Sequence, residues 1–207
     1  MNAKAMFQQF AEPAVFDALE NTSGVVFYIV GNKFVDFADG NVILTFAEAM
    51  QHLAVIAPIA KCLVIGQGLS PQEVAQLQQS LLALTVLKPV PLLHRLEQKV
   101  PRQWVDKTAD KNVYITRPEQ HAPLHFSSHL ILDEDCAAMA DCNGGEHIPG
   151  ILLIEAAKQL FIASARLFDI APDFAGKDEA IQFTLRALDV RFSQFVFPLA
   201  AQLHLTL

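Results

Sequence analysis

One acid, Glu155, stands inside a long apolar run, Ile148-Pro-Gly-Ile-Leu-Leu-Ile-Glu155-Ala-Ala-Lys-Gln159, that continues to about Phe168. A buried carboxylate is costly unless it is paired. In a setting dry enough to raise its pKa, it can act as a general base toward a hydroxyl or an α-carbon proton. Paired with Lys158 or Gln159, it is a structural acid instead. His147, just before the run, is a second candidate acid/base or a substrate-orienting group, with turn packing as its plain alternative. Gln159 lies one helical turn beyond Glu155 and can hydrogen-bond and orient that carboxylate. Lys158 and Arg166 are the cations of this run, and Gly150 permits a close approach of backbone or substrate.

These residues need a helix to position them. The turn Asn143-Gly144-Gly145-Glu146 leads into it, and Pro149 suits a first helical turn, where its missing N–H costs nothing. From Ile148 to Phe168 apolar residues go nearly all the way round, which predicts a helix enclosed by other structure. At about 100° per residue, Glu155, Lys158, Gln159, Arg166 and Asp169 share one narrow stripe, expected to be solvated or to face a second subunit.

The pattern Pro-Gly-(apolar)4-Glu-Ala-Ala-x-Gln resembles the central-helix signature of hotdog-fold acyl-carrier-protein dehydratases, but the upstream His-Phe-Pro of those enzymes is missing. The fuller pattern, His147-Ile-Pro-Gly-(apolar)4-Glu155-Ala-Ala-Lys158-Gln159, resembles the hotdog domain of A-factor (γ-butyrolactone) biosynthesis proteins, the AfsA-like family, which typically has Arg-Gln at the last two positions. Val105-Asp106-Lys107, followed by Asn112-Val113-Tyr114-Ile115, is similar to the opening motif of that domain, usually Val-His-Lys and an Asn-Val-Leu strand. Asp106 stands where the family has His, which puts any role of that His in doubt here.

The resemblance implies a hotdog domain over 105–207, its antiparallel sheet wrapped around a long central helix; residues 1–95 read from their own pattern as a small α/β domain of no recognised family, so the chain as a whole is expected to be α+β. It implies paired hotdog domains or a homodimer, with an acyl chain held near the start of the helix. The implied reaction transfers a β-ketoacyl group from an acyl carrier protein (or CoA thioester) to the hydroxyl of an acceptor such as dihydroxyacetone phosphate, for whose phosphate Lys158 and Arg166 are the candidate cations. No cofactor is implied. The alternatives are a dehydratase or thioesterase on acyl thioesters, and a non-catalytic module that binds acyl chains or carrier proteins.

Composition bounds the reading. The 207 residues are 52% apolar and 18% charged, so the chain is core-rich. A formal charge of −7 and the lack of a Lys/Arg run argue against nucleic-acid or acidic-membrane partners. Three cysteines, Cys62, Cys136 and Cys142, have no metal-ligand spacing and fit free thiols in a reducing compartment. With no signal peptide and no apolar span of membrane length, the expected location is the cytoplasm.

Residues 1 to about 22 read as an amphipathic arm. Val25–Val30 and Cys62–Ile65 read as buried strands. Asp39-Gly40 is expected to turn a hairpin between Phe34–Phe37 and Val42–Leu44. Thr45 with Glu48, and Ser70 with Pro71 and Glu73, carry capping-box signatures for two helices. Gly66-Gln-Gly68 is a turn, too short for a phosphate loop. Val86–Leu93, with two prolines, is an extended edge, and a domain boundary falls near 95–104. His121, His125 and His129 are spaced by four, but Pro118 and Pro123 and the alternation of Leu124–Leu132 predict a strand rather than a helical metal face. Ala180–Val190, Arg191–Phe197 and Gln202–Leu207 read as strands. The chain stops inside an apolar run, so the sheet is expected to be completed by another copy or by missing sequence.

Overall fold

The computed structural model describes residues 23–84, 90–93, 98–140, 145–168, 170 and 186–207. The N-terminal arm, Cys142, the Asn143-Gly144 turn, Asp169 and the loop after it, and the first part of the 180–190 strand lie outside the described residues. The chain divides into two compact units. The first is Met1–Leu96 with Asp133–His147 and Phe197–Ala200; the second is Glu97–Leu132 with Ile148–Val196 and Ala201–Leu207.

The first unit is built on β1 (Val25–Val30), β2 (Ile43–Thr45), α1 (Phe46–Ile56), β3 (Ala60–Ile65), α2 (Pro71–Ala83) and β4 (Leu92–Leu93). The four strands are parallel, in the order β2-β1-β3-β4. Both capping boxes form. Thr45 Oγ1 accepts from the Glu48 N–H and Ser70 Oγ from the Glu73 N–H, while each glutamate reaches back to its cap residue. Alternate strand residues Phe27, Ile29, Leu63 and Ile65 pack with Leu53, Ile56, Leu77 and Leu81 of the helices in one core. Cys62 is fully buried, and burial pushes its thiol up to about 12, which makes it a packing group.

The hairpin is a correction. Asn32–Phe34 is a short 3-10 helix, and β2 pairs parallel to β1. Asp39-Gly40 does make a tight turn, with Gly40 at φ 68°. Its geometry comes from the Asp39 carboxylate, which accepts from the N–H groups of Asn41, Val42 and Ile43 at 2.8–2.9 Å. Residues 34–37 therefore never run alongside 42–44 as a strand partner.

The stretch 133–145 belongs to this unit and is fastened to Lys33. The Glu134 carboxylate accepts the Lys33 N–H at 3.0 Å, the Gly145 N–H donates to the Lys33 carbonyl at 3.3 Å, and the Lys33 ammonium donates to the Met139 carbonyl. Gly31 and Gly68 meet beneath this clamp. A Cβ on Gly31 would lie 2.7 Å from both the Glu134 carboxylate and the Gly68 carbonyl oxygen. Gly31→Ala is expected to cost about 1–3 kcal/mol by overpacking. Urea unfolding measures it, and an unchanged midpoint contradicts the close approach.

The second unit contains β5 (Glu119–Ala122), β6 (His125–His129), α3 (Gly150–Leu167) and β7 (Gln202–Thr206). The strands form an antiparallel sheet in the order β5-β6-β7. Short backbone pairings extend it: Thr116 N–H to the His129 carbonyl, Ile131 N–H to the Tyr114 carbonyl, and Val100 N–H to the Ile115 carbonyl. α3 packs against β6 and β7. Leu152, Ala156, Leu160 and Ala163 are buried on its inner face, and the Phe168 ring packs tilted against Phe126 with centroids 5.1 Å apart. The spaced histidines fall on the β5–β6 hairpin, where His121 Nε2 meets Ser127 Oγ at 2.6 Å.

Two expectations fail here. Residues 186–197 form no strand: their bulky residues carry β propensity, but a strand needs a laddered neighbour. Nor is α3 enclosed. Ile151 is 60% exposed, and Leu153, Ile154 and Phe161 are only half-buried. Among the described residues no helix is long and apolar enough to cross a membrane.

Candidate functional site

The polar stripe of α3 faces residues 102–114 rather than open water. Gln159 is completely buried. Its Oε1 accepts the Tyr114 N–H at 2.8 Å, its Nε2 donates to the Asn112 carbonyl at 2.9 Å, and the same Nε2 reaches Glu155 Oε1 at 3.3 Å. A primary amide is suited to this work because it offers an acceptor and two donors on one rigid plane. The two sequence motifs are thus joined side chain to backbone across 45 residues of chain.

Glu155 completes the junction. Lys107 Nζ lies 2.6 Å from its Oε1, and Lys158 Nζ 3.2 Å from its Oε2. Partial burial pushes the Glu155 carboxyl up, but hydrogen bonds from Lys107 and Gln159, the Lys107 charge and the Lys158 contact outweigh it. The carboxyl settles below its ordinary value. That direction is opposite to the raised pKa set out above as the condition for a general base.

Arg166 is engaged in the same way. Its Nη1 donates to the Gln103 carbonyl at 3.0 Å and its Nη2 to Asp106 Oδ1 at 2.8 Å. Asp106 sits in the left-handed region, φ 55° and ψ 43°. Aspartate and histidine are both enriched there among non-glycine residues, so the backbone accepts either. The carboxylate then gives Arg166 a partner that an imidazolium would not.

Beside this cluster runs an apolar groove of about 480 Å³. One wall is the outer face of α3, with Leu153, Ile154, Ala157 and Phe161. The other is the extended segment after residue 185, with Leu188, Val190 and Phe192. Lys158 and Arg186 are its cationic lining. Lys158 is common to both features, since it also holds Glu155. Gly150 allows Phe192 to close in: a Cβ there would fall 2.8 Å from the ring's Cζ. The helix start has no side-chain cap.

Of the residues singled out from sequence, Glu155, Lys158 and Gln159 come together, and Gly150 touches the groove through Phe192. Arg166 lies with Asp106 and Gln103 instead. His147 belongs to the first unit, three residues before α3 begins. Sequence reasoning missed Lys107, Arg186 and Phe192. Lys107 stood inside the quoted Val-Asp-Lys motif, but nothing local shows that its partner is on the helix.

Antiparallel strands laid against one long helix define the class, a hotdog-type domain. A family model described as the A-factor biosynthesis hotdog domain, AfsA, matches residues 91–200, and the chain belongs to that family. No curated protein and no solved structure matches it.

Gln159→Leu is expected to cost about 1–3 kcal/mol, since it removes the partners that Gln159 supplies to buried backbone groups. A Glu155 carboxyl lowered in the folded state stabilises the fold above the unfolded value of about 4.3, and that contribution is lost as pH falls through the folded pKa. Glu155→Gln should therefore flatten the loss of stability below about pH 5. Parallel acid-unfolding profiles for the two proteins contradict the ion cluster.

Proposed function

We propose that this chain holds an acyl thioester along α3 and transfers its β-ketoacyl group from an acyl carrier protein to the hydroxyl of a phosphate-bearing acceptor such as dihydroxyacetone phosphate. The observation that carries the reading is the dual place of Lys158. It joins a charged cluster to an apolar groove, so an acyl chain in the groove and a phosphate-bearing acceptor at the cations can lie side by side. Membership of the A-factor biosynthesis family supports the substrate class.

In this reading the tail replaces water along Leu153, Ile154 and Phe161, and Lys158 with Arg186 attracts the phosphate. Glu155, ionised between Lys107 and Lys158, is in the protonation state that a proton acceptor needs. Engagement of Lys158 by the phosphate would loosen its hold on Glu155 and raise the basicity of the carboxylate. His147 is the second proposed acid/base. The active form is a homodimer or a pair of hotdog domains in the cytoplasm, served by a carrier protein or CoA thioester.

A second reading, a binding module for acyl chains or carrier proteins, is favoured by the double neutralisation of Glu155 and by Asp106 in place of His. One assay separates them. Purified protein is incubated with 3-oxoacyl and 3-hydroxyacyl carrier-protein thioesters, with and without dihydroxyacetone phosphate. Transfer only in the presence of the alcohol, reduced about 100-fold or more by Glu155→Gln, is the expected result. Binding without turnover supports the module. Enoyl formation identifies a dehydratase and alcohol-independent hydrolysis a thioesterase; either overturns the proposal.

A further inference from the structure

We propose that Phe192 is the specificity-determining residue of the groove, an end-stop that sets the length of acyl chain the protein accepts. The inference rests on the acyl-binding reading above.

The ring is placed by an absence. Its Cζ, Cε2 and Cε1 atoms lie 2.8, 3.2 and 3.3 Å from where a Gly150 side chain would begin, so only glycine lets it lie over the first turn of α3. It is not a core residue: it remains 58% exposed. Its atoms line the groove together with the outer face of the helix. A large aromatic group held mostly in water, against a glycine, is poorly explained by packing alone.

Lys158 is the cation that α3 contributes to the groove lining, and Gly150 lies eight residues earlier on the same helix. At 1.5 Å per residue the two are about 12 Å apart along the axis. A chain whose head is held at Lys158 and whose tail runs toward the start of α3 meets the Phe192 ring. Shorter tails fit in front of it. Longer ones must displace it, against the wall formed by Leu188 and Val190.

The test measures binding and needs no turnover. Straight-chain 3-oxoalkyl pantetheine thioethers, which cannot be cleaved, are titrated against wild type, Phe192→Ala and Phe192→Trp. In wild type, affinity should rise with chain length and then fall. Phe192→Ala should move the optimum to longer chains, improving the longest by about 10-fold relative to the shortest. Phe192→Trp should move it to shorter ones. Gly150→Ala, which pushes the ring away, should also shift the optimum. A melting temperature close to wild type is expected for the Phe192 variants, and Phe192→Leu offers a milder second probe. A wild-type optimum that none of these variants moves overturns the end-stop and leaves the acyl site standing. No binding of any thioether overturns both. A shifted optimum without acyl transfer supports the end-stop and counts against the transfer reaction.

Discussion

The site depends on one buried amide. Gln159 has no exposure to solvent, so it must be satisfied internally or cost the fold free energy. It meets that demand by taking the Tyr114 N–H and giving to the Asn112 carbonyl, which fixes α3 in register against the 112–114 backbone. With the register fixed, Glu155, one turn earlier on the same face, sits beside Lys107. Glu155 engages a lysine on each carboxylate oxygen, and the Gln159 amide donates to the same oxygen as Lys107. Arg166, two turns later, repeats the arrangement with Gln103 and Asp106. The polar stripe is therefore a row of attachments between helix and loop.

The opposite side of α3 is left open. An apolar circumference predicts burial on all sides, yet among the described residues the helix is covered by β6 and β7 on one face and by residues 102–114 along its polar stripe. The outer face looks onto a groove, and Leu153, Ile154 and Phe161 remain partly exposed along it. A surface of this kind on a folded chain is what a ligand or partner needs, and it adjoins the ion cluster. Lys158 bridges the two because it projects from the boundary between them.

Much of this was legible in the residue pattern. β1, β3 and both capped helices sit where β-branched runs and Ser/Thr-x-x-Glu spacings put them, because those signals are local. The helix carrying Glu155 was equally plain. What failed was pairing. Asp39-Gly40 makes a turn in either arrangement, and only tertiary contacts make β2 parallel to β1. The residues from 186 to 192 show the same limit. Their alternation is real, since Leu188, Val190 and Phe192 all face the groove, but alternation does not supply the neighbouring strand that a ladder requires. At the site, residue types named Glu155 and Gln159 correctly as neighbours, while the ion pair to Lys107 and the Asp106–Arg166 pair depend on how the chain folds back. Charge chemistry alone could not tell which cation each acid would find.

The most direct test of the account is a structure of the protein with a non-cleavable 3-oxoalkyl pantetheine thioether bound. The expected result is a chain lying along Leu153, Ile154 and Phe161, with its polar head within hydrogen-bond reach of Lys158 and the Gln159 bridge to residues 112 and 114 intact. A ligand seated elsewhere, with the α3 groove unfilled, contradicts it.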